Sequence, residues 1–208
     1  MPLLAARVGE VASDAELLIV DGGSKDNTLM VAQKLGLRVV RCRRGRGGQM
    51  NLGAAQTRGE ILLFLHADTV LPEGASQLIA ATLADPSVAL GAFGFGFSER
   101  GLRIGLVQFG ARLRSRVRAS PYGDQALFLR REVFDELGGF AELSALEDMD
   151  MVKRARDLGR IVVRPEVALT SARRYLDRGP LRLMVRHWFL SVRFFAGWRP
   201  KPGEDVRR

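Results

Sequence analysis

The sequence predicts an α/β protein built on a doubly wound, mostly parallel sheet with helices on both faces. Three observations carry that expectation. Apolar runs at 17–21, 37–41 and 61–65 alternate with helical patterns at 3–12, 27–35, 49–57 and 74–84, and such alternation wraps helices over both sides of a sheet. The first and third runs are rich in Leu, Ile and Val at successive positions rather than alternate ones, the mark of strands buried on both faces. These same two runs end in polar residues at their carboxyl ends, where open sheets of this class bind ligands.

At 208 residues, 47% of them hydrophobic, the chain reads as a single domain over 1–199 with a tail at 200–208. Its lone cysteine, Cys42, permits no internal disulfide and reads as a small buried apolar residue. The first ten residues show no secretory leader pattern, so the expected location is cytoplasmic. A net charge of +9 draws anions, and nucleic acid, anionic lipid and a nucleotide diphosphate all qualify. A nucleic-acid-binding module is the weakest of these, because two Tyr and two Trp leave the basic runs without interleaved aromatics.

After the helical pattern at 3–12, the run 17–21 stops at Asp21 in LLIVDGGSKDNT; glycines turn the chain, and Asp26 follows. Asp21 and Asp26 face one crevice on this reading, where carboxylates suit ribose hydroxyls and base N–H groups. An ordinary strand-to-helix turn, with Ser24 or Asp26 capping the helix that begins near Asn27, is equally open. Next, in RRGRGGQMNLGA, glycines 45, 47 and 48 precede a helix whose N-terminus favours an anion, with Arg44 and Arg46 adding charge. The spacing matches neither a Walker loop nor a dinucleotide fingerprint. Gln49 and Asn51 read either as ligand contacts or as a helix start and a surface polar residue.

The run 61–65 emerges at His66 and Asp68 in GEILLFLHADT. If the chain stays extended, both side chains share one side, and imidazole with carboxylate can hold a divalent cation. A satisfied histidine near a cap is the plainer alternative. Beyond Pro86 come glycine-broken strands, VALGAFGFGF and DQALFLR, around an arginine-rich amphipathic helix at 100–118. The segment LEDMDMVKRARDLGR runs from acids to bases, as a helix dipole prefers. Positions two apart lie about 200° apart on a helix, so Asp148 and Asp150 cannot both face one cleft. The one that does is suited to take a proton from a hydroxyl, with plain N-terminal capping acids as the alternative. Over 180–198, Arg182, Arg186 and Arg193 fall on one helical side among Leu183, Trp188, Phe194, Phe195 and Trp198. Three arginines argue against a spanning helix and for one lying on a surface: its own domain, a second subunit or an anionic membrane.

In order, DGGSKDNT, RGRGGQMNLGA, LHADT, GDQALFLRREVFDELGGF and LEDMDM resemble the family 2 glycosyltransferases over residues 3–198. TSARRY and the histidine of LHADT are similar to a small bacterial subgroup associated with radical-SAM or selenoprotein-related systems. The resemblance implies the GT-A nucleotide-sugar-binding fold, with a nucleotide-binding half over 1–85 and an acceptor-side half over 86–199. It implies that Asp21 and Asp26 contact the nucleoside and that Gly22, Ser24, Arg46, Gly47, Gln49 and Asn51 complete that site. Asp68 becomes the principal ligand of Mn2+ or Mg2+, with His66 where the family more often has an aspartate. Asp148, next to Glu147, becomes the catalytic base, and Gly123, Asp124 and Gln125 lie on the acceptor side.

The implied activity is an inverting, metal-dependent transfer of a sugar from a nucleoside-diphosphate sugar to a hydroxyl. A nucleotidyltransferase on the same fold is the alternative chemistry. If the helix at 180–198 makes the protein a peripheral membrane enzyme at the inner face, a lipid-linked hydroxyl is the acceptor to expect. One departure stands at the front: the family opens with an apolar strand ending in a Pro-Asn-Glu type turn, and this chain starts at what should be the following helix. The first strand is therefore expected to be missing.

Overall fold

The computed structural model describes residues 15–43, 45–99, 101, 104–105, 108–110, 120–201 and 204. The helix expected at 3–12, the matter of a leading strand, Arg44, most of the helix at 100–118 and most of the tail lie outside the described residues.

Two sheets order the chain. In the smaller, β1 (Leu18–Asp21) and β2 (Arg38–Arg41) run parallel, with Leu18 opposite Arg38 and Asp21 opposite Arg41. A parallel pair needs a crossover, which α1 (Thr28–Lys34) supplies. The larger sheet takes β3 (Ile61–Phe64), β4 (Thr69–Val70), β5 (Val88–Phe97), β6 (Leu127–Arg130) and β7 (Arg160–Thr170) in the order β3-β6-β5-β7-β4. There β3, β5 and β7 point one way, while β6 and the two-residue β4 run against them. The parallel framework expected from the sequence is thus present, with two antiparallel strands making the central sheet mixed.

Helices cover both faces of that sheet. On one, α2 (Arg46–Ala55), α4 (Arg131–Glu136) and α5 (Glu147–Ala155) contribute Ala54, Val133, Phe134, Met151 and Val152 to a core with Leu62, Leu127 and Leu129. On the other, Ile79 and Leu83 of α3 (Ala75–Leu83) meet Phe93, Phe128 and Ala168. Successive strand residues point to opposite faces, so Leu127 and Leu129 serve one core and Phe128 the other. That is why β3 and the first three residues of β6 are apolar at every position.

Part of the positive charge belongs to this frame. Arg130 donates to the carbonyls of Leu83, Pro86 and Val88, Arg131 to those of Ala54, Thr57 and Gly59, and Arg154 to those of Leu137 and Gly139. Each guanidinium fork closes carbonyls that the helix ends and loops leave open. These three charges brace the fold rather than meet an external anion.

Candidate functional site

The carboxyl end of β1 is built around Asp21. It is buried, and its carboxylate accepts the N–H groups of Gly23 at 3.1 Å and Ser24 at 3.0 Å. A hydrogen bond from the Ser24 side chain, helped by these backbone N–H groups and the charge of Arg41, holds the carboxyl below its ordinary range against the opposing effect of burial. Asp26 is exposed and accepts both the hydroxyl and the backbone N–H of Thr28, the latter at 3.0 Å. Those bonds lower its pKa, while the neighbouring Asp21 charge works against them. Asp21 therefore builds the turn and Asp26 starts α1. A carboxylate has about four lone-pair sites, so both keep capacity to accept from a ligand.

The second element of the site, the start of α2, differs from its sequence reading. Gly47 and Gly48 lie inside the first turn of α2 and are buried, not in a loop ahead of it. A Cβ at Gly47 would sit 2.5 Å from the carbonyl oxygen of Ala141, so this glycine is required by close packing on the chain after α4. Asn51 is used in the same way: its amide N donates to the Phe140 carbonyl at 2.9 Å and its oxygen accepts the Phe140 N–H at 2.8 Å. It brackets that segment in place of a direct ligand contact. Gln49 lies against Gly22 and so joins α2 to the turn after β1. Arg46, read as a phosphate contact, places its Nε 3.5 Å from Oε1 of the buried Glu147, linking the starts of α2 and α5.

The third element converges on Gly123, in a short 3-10 turn at Gly123–Gln125. Its N–H donates to Oδ2 of Asp148 at 2.7 Å, while Oδ1 of Asp148 accepts the N–H of Met149 at 2.8 Å. A Cβ on Gly123 would stand 2.9 Å from Nε2 of His66 and 3.3 Å from Oδ2 of Asp148. Imidazole, glycine backbone and carboxylate are therefore contiguous. Asp150 points elsewhere, to Arg154 at 2.7 Å and Arg199 at 3.6 Å, as helix geometry requires.

Two expectations need correction here. The chain does not stay extended past β3: the N–H of Thr69 donates to the His66 carbonyl at 3.0 Å, making a turn at Ala67 and Asp68. His66 is half-buried beside Gly123, whereas Asp68 is exposed, its backbone oxygen pinned by the Ser171 N–H at 3.0 Å. Gln125 does not line an open acceptor side: it is fully buried, donating to the Phe93 carbonyl at 2.8 Å and accepting the Tyr122 N–H at 3.2 Å. Asp124, between it and Gly123, is half-buried. Among the described residues no three His, Cys, Asp or Glu side chains come together as a ready metal cluster.

A contact that the sequence reading missed completes the surroundings. The Tyr122 hydroxyl meets the Ser191 hydroxyl at 2.6 Å, and Ser191 approaches the Met149 sulfur at 3.7 Å. Ser191 belongs to α7 (Pro180–Phe195), which follows α6 (Arg173–Arg178). A lone serine in an apolar helix was the available signal.

Comparison with known proteins gives the family and the fold. A family model described as glycosyl transferase family 2 matches residues 5–141. An uncharacterized glycosyltransferase of Nostoc sp. is 36% identical over 70 residues, 30% of this chain and 22% of its own length. Among solved structures, the mannosyltransferase PcManGT from Pyrobaculum calidifontis, in complex with GDP-Man and Mn2+, superposes with a TM-score of 0.61 at 18% identity, covering 99% of this chain and 64% of that one. TarS of S. aureus, residues 1–349, gives a TM-score of 0.60 at 20% identity over 82% of this chain and 56% of its own. Glucosyl-3-phosphoglycerate synthase from Mycobacterium tuberculosis, with Mn2+, UDP-Glc and phosphoglyceric acid, gives 0.53 at 22% identity over 74% and 60%. The chain thus spans less than two thirds of the length of each. At these identities the structural likeness is one of fold, the nucleotide-sugar-transferase fold.

Proposed function

Because the chain belongs to glycosyl transferase family 2, we propose that it moves a sugar from a nucleoside-diphosphate sugar to an acceptor hydroxyl with inversion at the anomeric carbon. The observation that carries this reading is Asp148, a carboxylate fixed by two backbone N–H groups and set beside His66 across Gly123. Asp148 takes the hydroxyl proton as the acceptor oxygen bonds to the anomeric carbon. The bond to the donor oxygen breaks on the opposite face, and the nucleoside diphosphate leaves with the electron pair. Asp21 and Asp26 accept from the nucleoside, and Gln49 closes that side over Gly22. Arg46, held by Glu147 at the start of α2, lies where the helix N-terminus favours the diphosphate.

The residues that would hold a divalent cation are those at the β3 turn. Asp68 offers an exposed carboxylate and His66 an imidazole, a mixed pair suited to Mn2+. When bound, the cation supplies charge neutralisation to the leaving diphosphate. The Mn2+ named with the mannosyltransferase and the synthase supports the same reading. No described helix is long and apolar enough to cross a membrane; the workplace proposed is the cytoplasm, at the inner face of a membrane.

Incubation with nucleotide sugars labelled in the sugar, with and without Mn2+, tests the proposal. Release of nucleoside diphosphate with the label on an acceptor or on water is expected. Label-free transfer of the nucleotide would establish nucleotidyl transfer instead. Retained anomeric configuration in the product, read by NMR, would overturn inversion.

A further inference from the structure

The two sides of α7 are unlike. Leu183, Leu190, Ser191 and Phe194 are buried, and Ser191 reaches Tyr122 and Met149. The other side presents Val185, Trp188, Phe189, Val192 and Phe195, each between 47% and 68% exposed. Their spacing of three and four makes one continuous stripe. Single exposed apolar residues are ordinary on protein surfaces; a contiguous aromatic stripe is not.

The border of the stripe is basic. By helical periodicity positions 186 and 193 follow its edge, seven apart. The Arg193 guanidinium lies 4.1 Å from the Trp198 ring centroid and 5.8 Å from that of Phe189. Between Asp177 and Glu204 the sequence holds five Arg and one Lys and no carboxylate. At 16 residues the helix is about 24 Å long, too short and too charged to span a bilayer. An apolar stripe with aromatic rings and a cationic edge matches the boundary between acyl chains and anionic headgroups. A second copy of the chain, paired by a twofold, would set this carboxylate-free edge against itself.

We propose that α7 docks on an anionic membrane surface, its stripe entering the acyl boundary while the arginines meet lipid phosphates. The buried side of the helix touches Tyr122 and Met149, the neighbours in sequence of Gly123 and Asp148. Docking therefore sets the proposed base behind α7, on the side of the helix that faces away from the lipid. The acceptor that geometry favours is a hydroxyl borne by or linked to a lipid. That last step rests on the transferase reading; the docking does not.

Sedimentation with vesicles, without donor or metal, separates the two. Phosphatidylcholine vesicles containing phosphatidylglycerol should carry the protein down at low salt, phosphatidylcholine alone should not, and rising salt should release it. Trp188→Ala with Phe189→Ala should lower the partition at least about tenfold. Arg186→Gln and Arg193→Gln should each lower it about fivefold. Circular dichroism of the aromatic double variant should not change, since Trp188 and Phe189 are exposed. Failure to sediment at low salt overturns the proposal, as does undiminished binding by the aromatic double variant. A dimer that this variant converts to monomer in sedimentation equilibrium would reassign the stripe to a second copy.

Discussion

β1 and β5 both read as strands in the sequence, the first as an apolar run buried on both faces and the second as a glycine-broken one, and the structure buries the second far more completely. Nine of the ten residues of β5 are buried, against one of four in β1. β5 lies between β6 and β7 with helices over both faces, whereas β1 pairs with β2 alone among the described residues. An apolar run records what a strand needs; its neighbours decide whether it receives it. The proposed site straddles this difference. His66, Gly123 and Asp148 stand at the rim of the five-stranded sheet, and Asp21 and Gly22 stand at the end of the two-stranded pair, with Gln49 of α2 against Gly22. On the proposed assignment, the reacting end rests on the well-buried frame and the nucleoside end on the sparser one.

The sharpest way to break that division is at its two carboxylates. Asp148→Asn keeps shape and loses basicity, so kcat should fall about 10²–10⁴-fold with donor affinity unchanged. Asp21→Asn should do the reverse, weakening donor binding about tenfold with kcat nearly intact. The same split between kcat and KM in both variants would sink the division, and full activity in Asp148→Asn would move the base to Glu147. Asp68→Ala should abolish the Mn2+ dependence of nucleoside-diphosphate binding in calorimetry without moving Tm, because the residue is exposed; unchanged metal dependence rejects it as a ligand.

Stability offers a second comparison. Phe128 is fully buried beside Phe93, with ring centroids 5.4 Å apart. Phe128→Ala should cost about 3–5 kcal/mol in urea denaturation. Val20→Ala, in half-buried β1, should cost about 1 kcal/mol. Equal losses would mean that β1 belongs to a core as complete as that of β5.

The parts legible in the sequence were those governed by periodicity. Apolar runs located β1, β2 and β3, and the 100° step of a helix separated Asp148 from Asp150. What escaped depended on long-range partners. Asn51 and Gln125 looked available because nothing local reveals the Phe140 and Phe93 backbone groups that engage them. The bracing by Arg130, Arg131 and Arg154 was not legible because a carbonyl leaves no mark in composition. β7 was hidden by Arg164-Pro165-Glu166, which splits its apolar residues into two short runs; the structure accommodates them in a register shift opposite Ala92 to Gly94. The turn at Ala67 and Asp68 needed the end of β7, whose Ser171 N–H holds the Asp68 carbonyl.

The smallest effect separates the two kinds of bracket near the site. The Asp21 carboxyl is held below its ordinary value of 3.8, chiefly by the Ser24 side chain. A carboxyl lowered in the folded state contributes stability that is complete above its unfolded pKa and is lost as pH falls through the folded one. The gap between the native protein and Asp21→Asn, no more than about 1 kcal/mol at neutral pH, should therefore hold steady down to about pH 5 and close below pH 4. Asn51→Ala removes two bonds that carry no titrating group and orphans a backbone N–H of Phe140, so its cost, about 1–3 kcal/mol, should not close in acid in that way. Urea midpoints of the three proteins between pH 3 and pH 7 measure both gaps. An Asp21→Asn gap that persists at pH 3 would show that the shape of the side chain, rather than its charge, holds the turn after β1.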